Sequence, residues 1–254
     1  MEKHDSSYDP LLYEDANAVV VPIDNVDEDA TDTASTTIPL HPSRVPAMTV
    51  CMVPGIDGGF SDGTYCNRVY RDIPKQMRVV QSPGSDRAGF ARMSRSVRYG
   101  MSDLGQDVCV AGFRATMNSI CANYPVVVHA CSQGTATVMN AMCSAHTLPW
   151  HERVRLVVLE SVVASGNSAI WHTLMNNPQY GQLQRWRRVL EWVGAPYWVP
   201  WASKLVLFRK YRPGGMQPVK HIHQFPPNIP VLIVHSEDDH TAALDDALAV
   251  WGAL

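Results

Sequence analysis

Val126-Val127-Val128-His129-Ala130-Cys131-Ser132-Gln133-Gly134 is the stretch on which the fold turns. An apolar, β-branched run leads into a serine, and residues suited to a helix, Gln133 to His146, begin directly after it. A serine at a sharp strand-to-helix turn stands clear of the sheet on a strained backbone. The strand and helix backbones then pass so closely that small residues are needed two before and two after it. Ala130 and Gly134 meet both requirements, giving A-x-S-x-G. Cys131 is a poor rival, because its own flanks are His129 and Gln133, both too large for the turn. The plain alternative is an ordinary turn with Ser132 as the helix N-cap.

Working outward, apolar runs alternate with helical stretches. Met48–Val53, Met77–Gln81, Pro125–Ala130, Val154–Leu159 and Pro230–His235 read as strands. Helices are expected over Tyr65–Ile73, over much of 89–122 with a break near Gly100, and after Ser132. Strands this apolar, alternating with helices, indicate an α/β fold: a mostly parallel central sheet with helices on both faces. The rhythm breaks at 166–226, which holds five of the seven tryptophans and reads as an inserted helical cap. Within it Leu183, Trp186, Leu190 and Val193 share one helical face, and Gly194 is placed to end that helix. So many aromatics predict a cap core and an apolar pocket over the serine.

Residues 1–45 read as an acidic, disordered leader, and 46–254 as the folded domain. Residues 1–43 carry ten acidic residues and one lysine, whereas 44–254 carry fourteen acidic and twenty basic residues. The leader cannot bury enough apolar surface to offset its ordering entropy. Val19-Val20-Val21 is its one segment suited to dock as a short strand, and the leader as a whole is expected to be dispensable for folding. The mildly basic body lacks a basic stripe, which argues against nucleic acid. The six cysteines are scattered and read as reduced thiols. No zinc spacing, phosphate-loop pattern or other cofactor motif is present, so no cofactor and no metal are expected. No apolar run is long enough to span a membrane, and the polar start lacks a secretory signal, giving a cytoplasmic expectation. Peripheral membrane contact through the cap is the residual membrane reading, since Arg185-Trp-Arg-Arg188 and Lys204 to Arg212 interleave basic and aromatic residues.

Acyl transfer needs backbone amides aimed at the developing oxyanion. Gln133, directly after the serine, supplies one, and Ile56 in the glycine-bearing loop Val53-Pro-Gly-Ile-Asp-Gly-Gly59 is expected to supply the other. Ile229-Pro-Val-Leu-Ile-Val-His-Ser-Glu-Asp-Asp239 then resembles the penultimate strand and acid loop of the α/β-hydrolase superfamily, in which nucleophile, acid and histidine follow in that order. The resemblance covers 46–254. It implies an α/β-hydrolase fold and a serine hydrolase, of the esterase, lipase or thioesterase kind, with Ser132 as nucleophile and Asp239 as acid. Ser236 replaces the usual glycine of the acid turn, and Asp238 is the alternative acid. The histidine segment that the family places after a final strand has no counterpart before Leu254. His129 reads as a core residue, and His172, His221 and His223 lie in or near the cap. The substrate implied is a small acyl compound with an apolar group. The competing reading is a noncatalytic α/β-hydrolase-like binding domain that lacks the histidine.

Overall fold

The computed structural model describes residues 19–21, 48–55, 77–81, 103–120, 124–143, 150–206 and 209–254. The expected helix Tyr65–Ile73 and the expected oxyanion residue Ile56 lie outside them. Six strands form one sheet: β1 (Val19–Val21), β2 (Met48–Val53), β3 (Met77–Gln81), β4 (Val126–Cys131), β5 (Val154–Glu160) and β6 (Val231–Val234). Their order is β1-β3-β2-β4-β5-β6. β3, β2, β4, β5 and β6 are mutually parallel, and β1 runs antiparallel on β3. The short strand expected at Val19–Val21 is therefore part of the sheet. Val19, Val20 and Val21 pair with Gln81, Val80 and Val79.

Register divides the sheet into two faces. Cys51, Val53, Val128, Ala130, Val157 and Leu159 share one face with Val231 and Ile233. Against it pack helices α1 (Asp107–Ser119), α2 (Gln133–Cys143) and, near the chain end, Ala247 and Val250, in a single apolar core. Phe113, Met117, Val138, Met139 and Trp150 are fully buried there. Covering side chains of this size contributes about 1.5–3 kcal/mol each. The other face carries Met52 and His129, both buried, and runs out to Leu232 and Val234 on β6, both exposed.

The insertion between β5 and β6 holds α3 (Gly166–Asn176), α4 (Gly181–Gln184), α5 (Arg187–Trp192), α6 (Ala195–Val206) and α7 (Pro218–His221); α8 (Leu244–Ala253) follows β6. The single helix expected around Leu183–Val193 is two short ones, stopped by Gly194 at φ +75. The expected cap core forms around Tyr211 and not around the tryptophans. Trp186, Trp192, Trp198 and Trp201 are exposed, whereas the fully buried tryptophan is Trp150, outside the cap. Helices of four and six residues offer no common apolar layer, so the cap is held elsewhere. Tyr211 buries completely against Leu104 and Ile170, with Leu174 and Val199 beside them. Gln106, also buried, grips the cap exit by donating to the carbonyls of Arg212 and Met216 and accepting from the Arg212 amide at 2.8, 3.1 and 2.9 Å.

Candidate functional site

Ser132 stands between β4 and α2 with φ +51, a left-handed conformation that non-glycine residues rarely adopt. Three contacts hold the turn in place. The Ser132 amide donates to the Glu160 carbonyl at 2.8 Å, continuing the β4–β5 ladder. The Ser132 carbonyl accepts from the Thr135 amide at 2.9 Å and from the Thr135 hydroxyl at 2.6 Å. Gly134 lies so near β2 that a Cβ would meet the Val53 carbonyl oxygen at 2.0 Å. Glycine is obligatory there, for the reason read from the A-x-S-x-G pattern. Gly55 is also near, though less tightly: a Cβ on it would lie 3.0 Å from the Ser132 Cβ and 3.5 Å from its Oγ. The loop after β2 therefore passes directly beside the serine. Gln133 opens α2, so its amide belongs to the helix's first turn; its side chain turns inward and donates to the Cys109 sulfur at 3.0 Å.

The acid loop meets the sheet one strand away. Asp239 Oδ2 accepts a short hydrogen bond from the Ser161 hydroxyl. Its Oδ1 accepts from the Thr241 amide, the Thr241 hydroxyl and the Ala242 amide at 2.7, 2.8 and 3.0 Å. Burial pushes the Asp239 carboxyl up, but the bonds from Ser161, Ala242 and Thr241 together outweigh it and hold the group below the usual carboxylate value. Asp238 is exposed.

Ser161 was not foreseen from the sequence. It ends β5 as Ser132 ends β4, and it too has a left-handed backbone, φ +55. Since Cys131 pairs with Glu160, the two serines are neighbours at the carboxyl ends of adjacent strands. The signal was present: a serine directly after an apolar parallel strand falls where open α/β sheets bind ligands.

Five of the described histidines lie on or near the sheet and the cap. His129 is on the far face of the sheet from the main core, with Nε2 3.2 Å from Glu160 Oε2. Burial lowers its pKa, partly offset by the Glu160 carboxylate. His172, on α3, donates from Nε2 to the Asp239 carbonyl at 2.8 Å and accepts at Nδ1 from Asn176 at 2.9 Å. His235 accepts from the Val162 amide at 3.0 Å and donates to the Ala242 carbonyl at 3.2 Å. His172 and His235 thus brace the loop that carries Asp239. Asp246 completes the brace, accepting from Ser168 at 2.8 Å and from the Ala164 amide at 3.2 Å, with burial pushing its carboxyl up. Among the described residues no histidine hydrogen-bonds Ser132. His221 is half-buried at the end of α7 and His223 is exposed.

A parallel sheet in this order, with the antiparallel strand at one edge and a left-handed serine after the central strand, defines the α/β-hydrolase fold. Solved structures similar to this chain are distant in sequence. An alpha/beta hydrolase enzyme from a Medee basin deep-sea metagenome library aligns at 11% identity and TM-score 0.49, covering 82% of this chain and 78% of its own. A Mycobacterium tuberculosis puromycin-hydrolyzing peptidase aligns at 14% identity and TM-score 0.47, covering 84% of this chain. The alignment spans only 29% of that peptidase. A lipase in an open form aligns at 12% identity and TM-score 0.45, covering 82% and 76%. No protein-family model matches the sequence, and no curated protein does.

Proposed function

We propose that this protein is a serine hydrolase acting on an ester, thioester or related acyl bond, with Ser132 as nucleophile. The observation that carries the reading is the left-handed Ser132 between β4 and α2, closed in by Gly134 and Gly55. A structural N-cap needs no such strain, which costs about 1–3 kcal/mol and persists where the surroundings impose it.

In this reading Ser132 Oγ attacks the acyl carbon, the carbonyl π pair moves onto oxygen, and the hydroxyl proton passes through a general base to the departing alcohol or thiol. The α2 amide of Gln133 stabilises that oxyanion, with the Ile56 amide as the second donor. Collapse expels the alcohol or thiol and leaves acyl-Ser132, which water then cleaves. Asp239 is the acid: its carboxylate is held ionised, as is needed to stabilise a protonated base. Ser161 positions it. The substrate group is apolar, and the site works in the cytoplasm.

A second reading, a noncatalytic binding domain of the same fold, draws on two observations. The Asp239 carboxylate is already engaged by Ser161, Thr241 and Ala242, and no described histidine bonds Ser132. A chain-length series of p-nitrophenyl esters separates the two. The hydrolase reading expects turnover that rises from acetate to hexanoate, is lost in Ser132→Ala and falls at least tenfold, about 1.4 kcal/mol, in Asp239→Asn. Tight fatty-acid binding without turnover of any ester selects the binding domain.

A further inference from the structure

The outward face of the cap is built the wrong way round for water. On α6, Ala195 and Pro200 are buried and Val199 packs toward Ile170 on α3. The stripe pointing away from them is Tyr197, Trp198, Trp201 and Leu205, at spacings of three and four residues. A helix on a protein surface places polar residues there; this one places three aromatics and a leucine. Tyr197 is 83% exposed and Leu205 78% exposed. Across the Gly194 turn, α5 continues the pattern with Trp192 at 86% and the preceding Trp186 at 62%. Rings this exposed project outward rather than line a groove, so the surface is shaped for a soft partner and not for a small ligand.

Charge says which soft partner. Residues 166–226 hold eight lysines and arginines and one acid, Glu191. That acid is matched by Arg187 at 2.9 Å. The segment therefore carries +7 in a chain whose total is −3. Arg185 and Arg188 flank Trp186, and Lys204 lies 5.9 Å from the Trp201 ring centre. Indoles and phenols that settle at a headgroup boundary, bordered by cations and free of unmatched anions, are the composition of an interfacial amphipathic element. No described helix is long and apolar enough to cross a membrane, so any such contact lies on the surface.

We infer that α5 and α6 form a docking surface for an anionic phospholipid bilayer, with the aromatic stripe entering the headgroup region and the basic residues meeting lipid phosphates and carboxylates. This surface uses none of the residues assigned to acyl chemistry, so the two readings stand or fall separately.

The test is co-sedimentation of the full chain with phosphatidylcholine vesicles, with and without phosphatidylserine, read together with tryptophan emission. The protein should sediment with the phosphatidylserine vesicles, with a blue-shifted emission, and much less with pure phosphatidylcholine. Neutralising three cations in Arg185→Gln, Arg188→Gln, Lys204→Gln should weaken partitioning roughly 100-fold. Trp192→Ser with Tyr197→Ser should abolish the emission shift and release the protein from vesicles. All five positions sit on the cap surface, and circular dichroism should stay unchanged. Ser132→Ala should bind as the parent does. Equal binding to both vesicle types, absence of sedimentation, or full binding by both sets of variants overturns the proposal. So does salt-sensitive binding to a single-stranded oligonucleotide that the cation variants lose while vesicles are ignored.

Discussion

Ser132 and Ser161 end neighbouring strands in the same left-handed conformation, and each does so at a cost in backbone strain. Glycine tolerates that conformation freely. Ser132→Gly should therefore raise stability by about 1 kcal/mol in urea unfolding while removing all esterase activity. A stabilised variant that kept activity would contradict the nucleophile assignment, and a destabilised one would contradict the strain. Gly134→Ala should do the reverse. Its Cβ would press on the Val53 carbonyl, a backbone atom that cannot swing away, and the loss should reach about 3 kcal/mol or leave the protein insoluble.

The half-buried Asp239 and the buried Asp246 should part company with pH. Asp239 titrates below its ordinary 3.8 in the fold, so its contribution is complete above that value and is lost as pH falls through the lower folded value. Asp246 titrates above 3.8, so the fold favours its protonated form and its contribution grows as pH falls through the raised value. At neutral pH Asp239→Asn should cost about 1 kcal/mol after allowance for solvent screening. Asp246→Asn should cost less, and the gap should close in acid, as urea titrations at the two pH values would show.

Among the elements, the strands were the most legible. Met48–Val53 and Met77–Gln81 fall where their apolar runs predict, and β4, β5 and β6 differ by a residue or so at their ends. Local composition decides such segments, because a strand buried on both faces needs an unbroken apolar run. The elbow was legible for a related reason: close backbone approach restricts residue size in a way that sequence displays. The brace around Asp239 was not. Ser161, His172, His235 and Asp246 lie far apart in sequence and meet only because β5, β6, α3 and α8 converge. The cap misled for a further reason. Aromatic content signals burial only where a second apolar layer exists, and α4 and α5 are too short to provide one. What fixes the cap instead is the Tyr211 cluster together with polar bonds from Gln106. Gln106→Ala would leave the Arg212 and Met216 carbonyls and the Arg212 amide without their partner, costing about 2–3 kcal/mol. Limited proteolysis should then cut near Arg212 before the sheet opens. Unchanged cleavage would mean that Tyr211 alone holds the cap exit.

At the scale of the whole molecule, β1 pairs Val19–Val21 with the sheet edge, and that pairing predicts a contribution of residues 1–43 to stability. A chain starting at Ser43 should lose the three-residue ladder on β3 and melt a few degrees lower, a shift of about 1 kcal/mol. An unchanged Tm would return all of residues 1–43 to the role of a passive tail. The account as a whole rests on one atom, the Ser132 oxygen that the sheet, α2 and the Gly55 loop hold at the carboxyl edge of the strands. Reaction of the full-length protein with a fluorophosphonate probe, followed by mass mapping of the modified peptide, interrogates that atom directly. The account predicts a single phosphonylated residue, Ser132, with labelling lost in Ser132→Ala and the fold retained. Labelling of the Ser132→Ala protein at the parent rate, or modification of another serine in the parent, would contradict it.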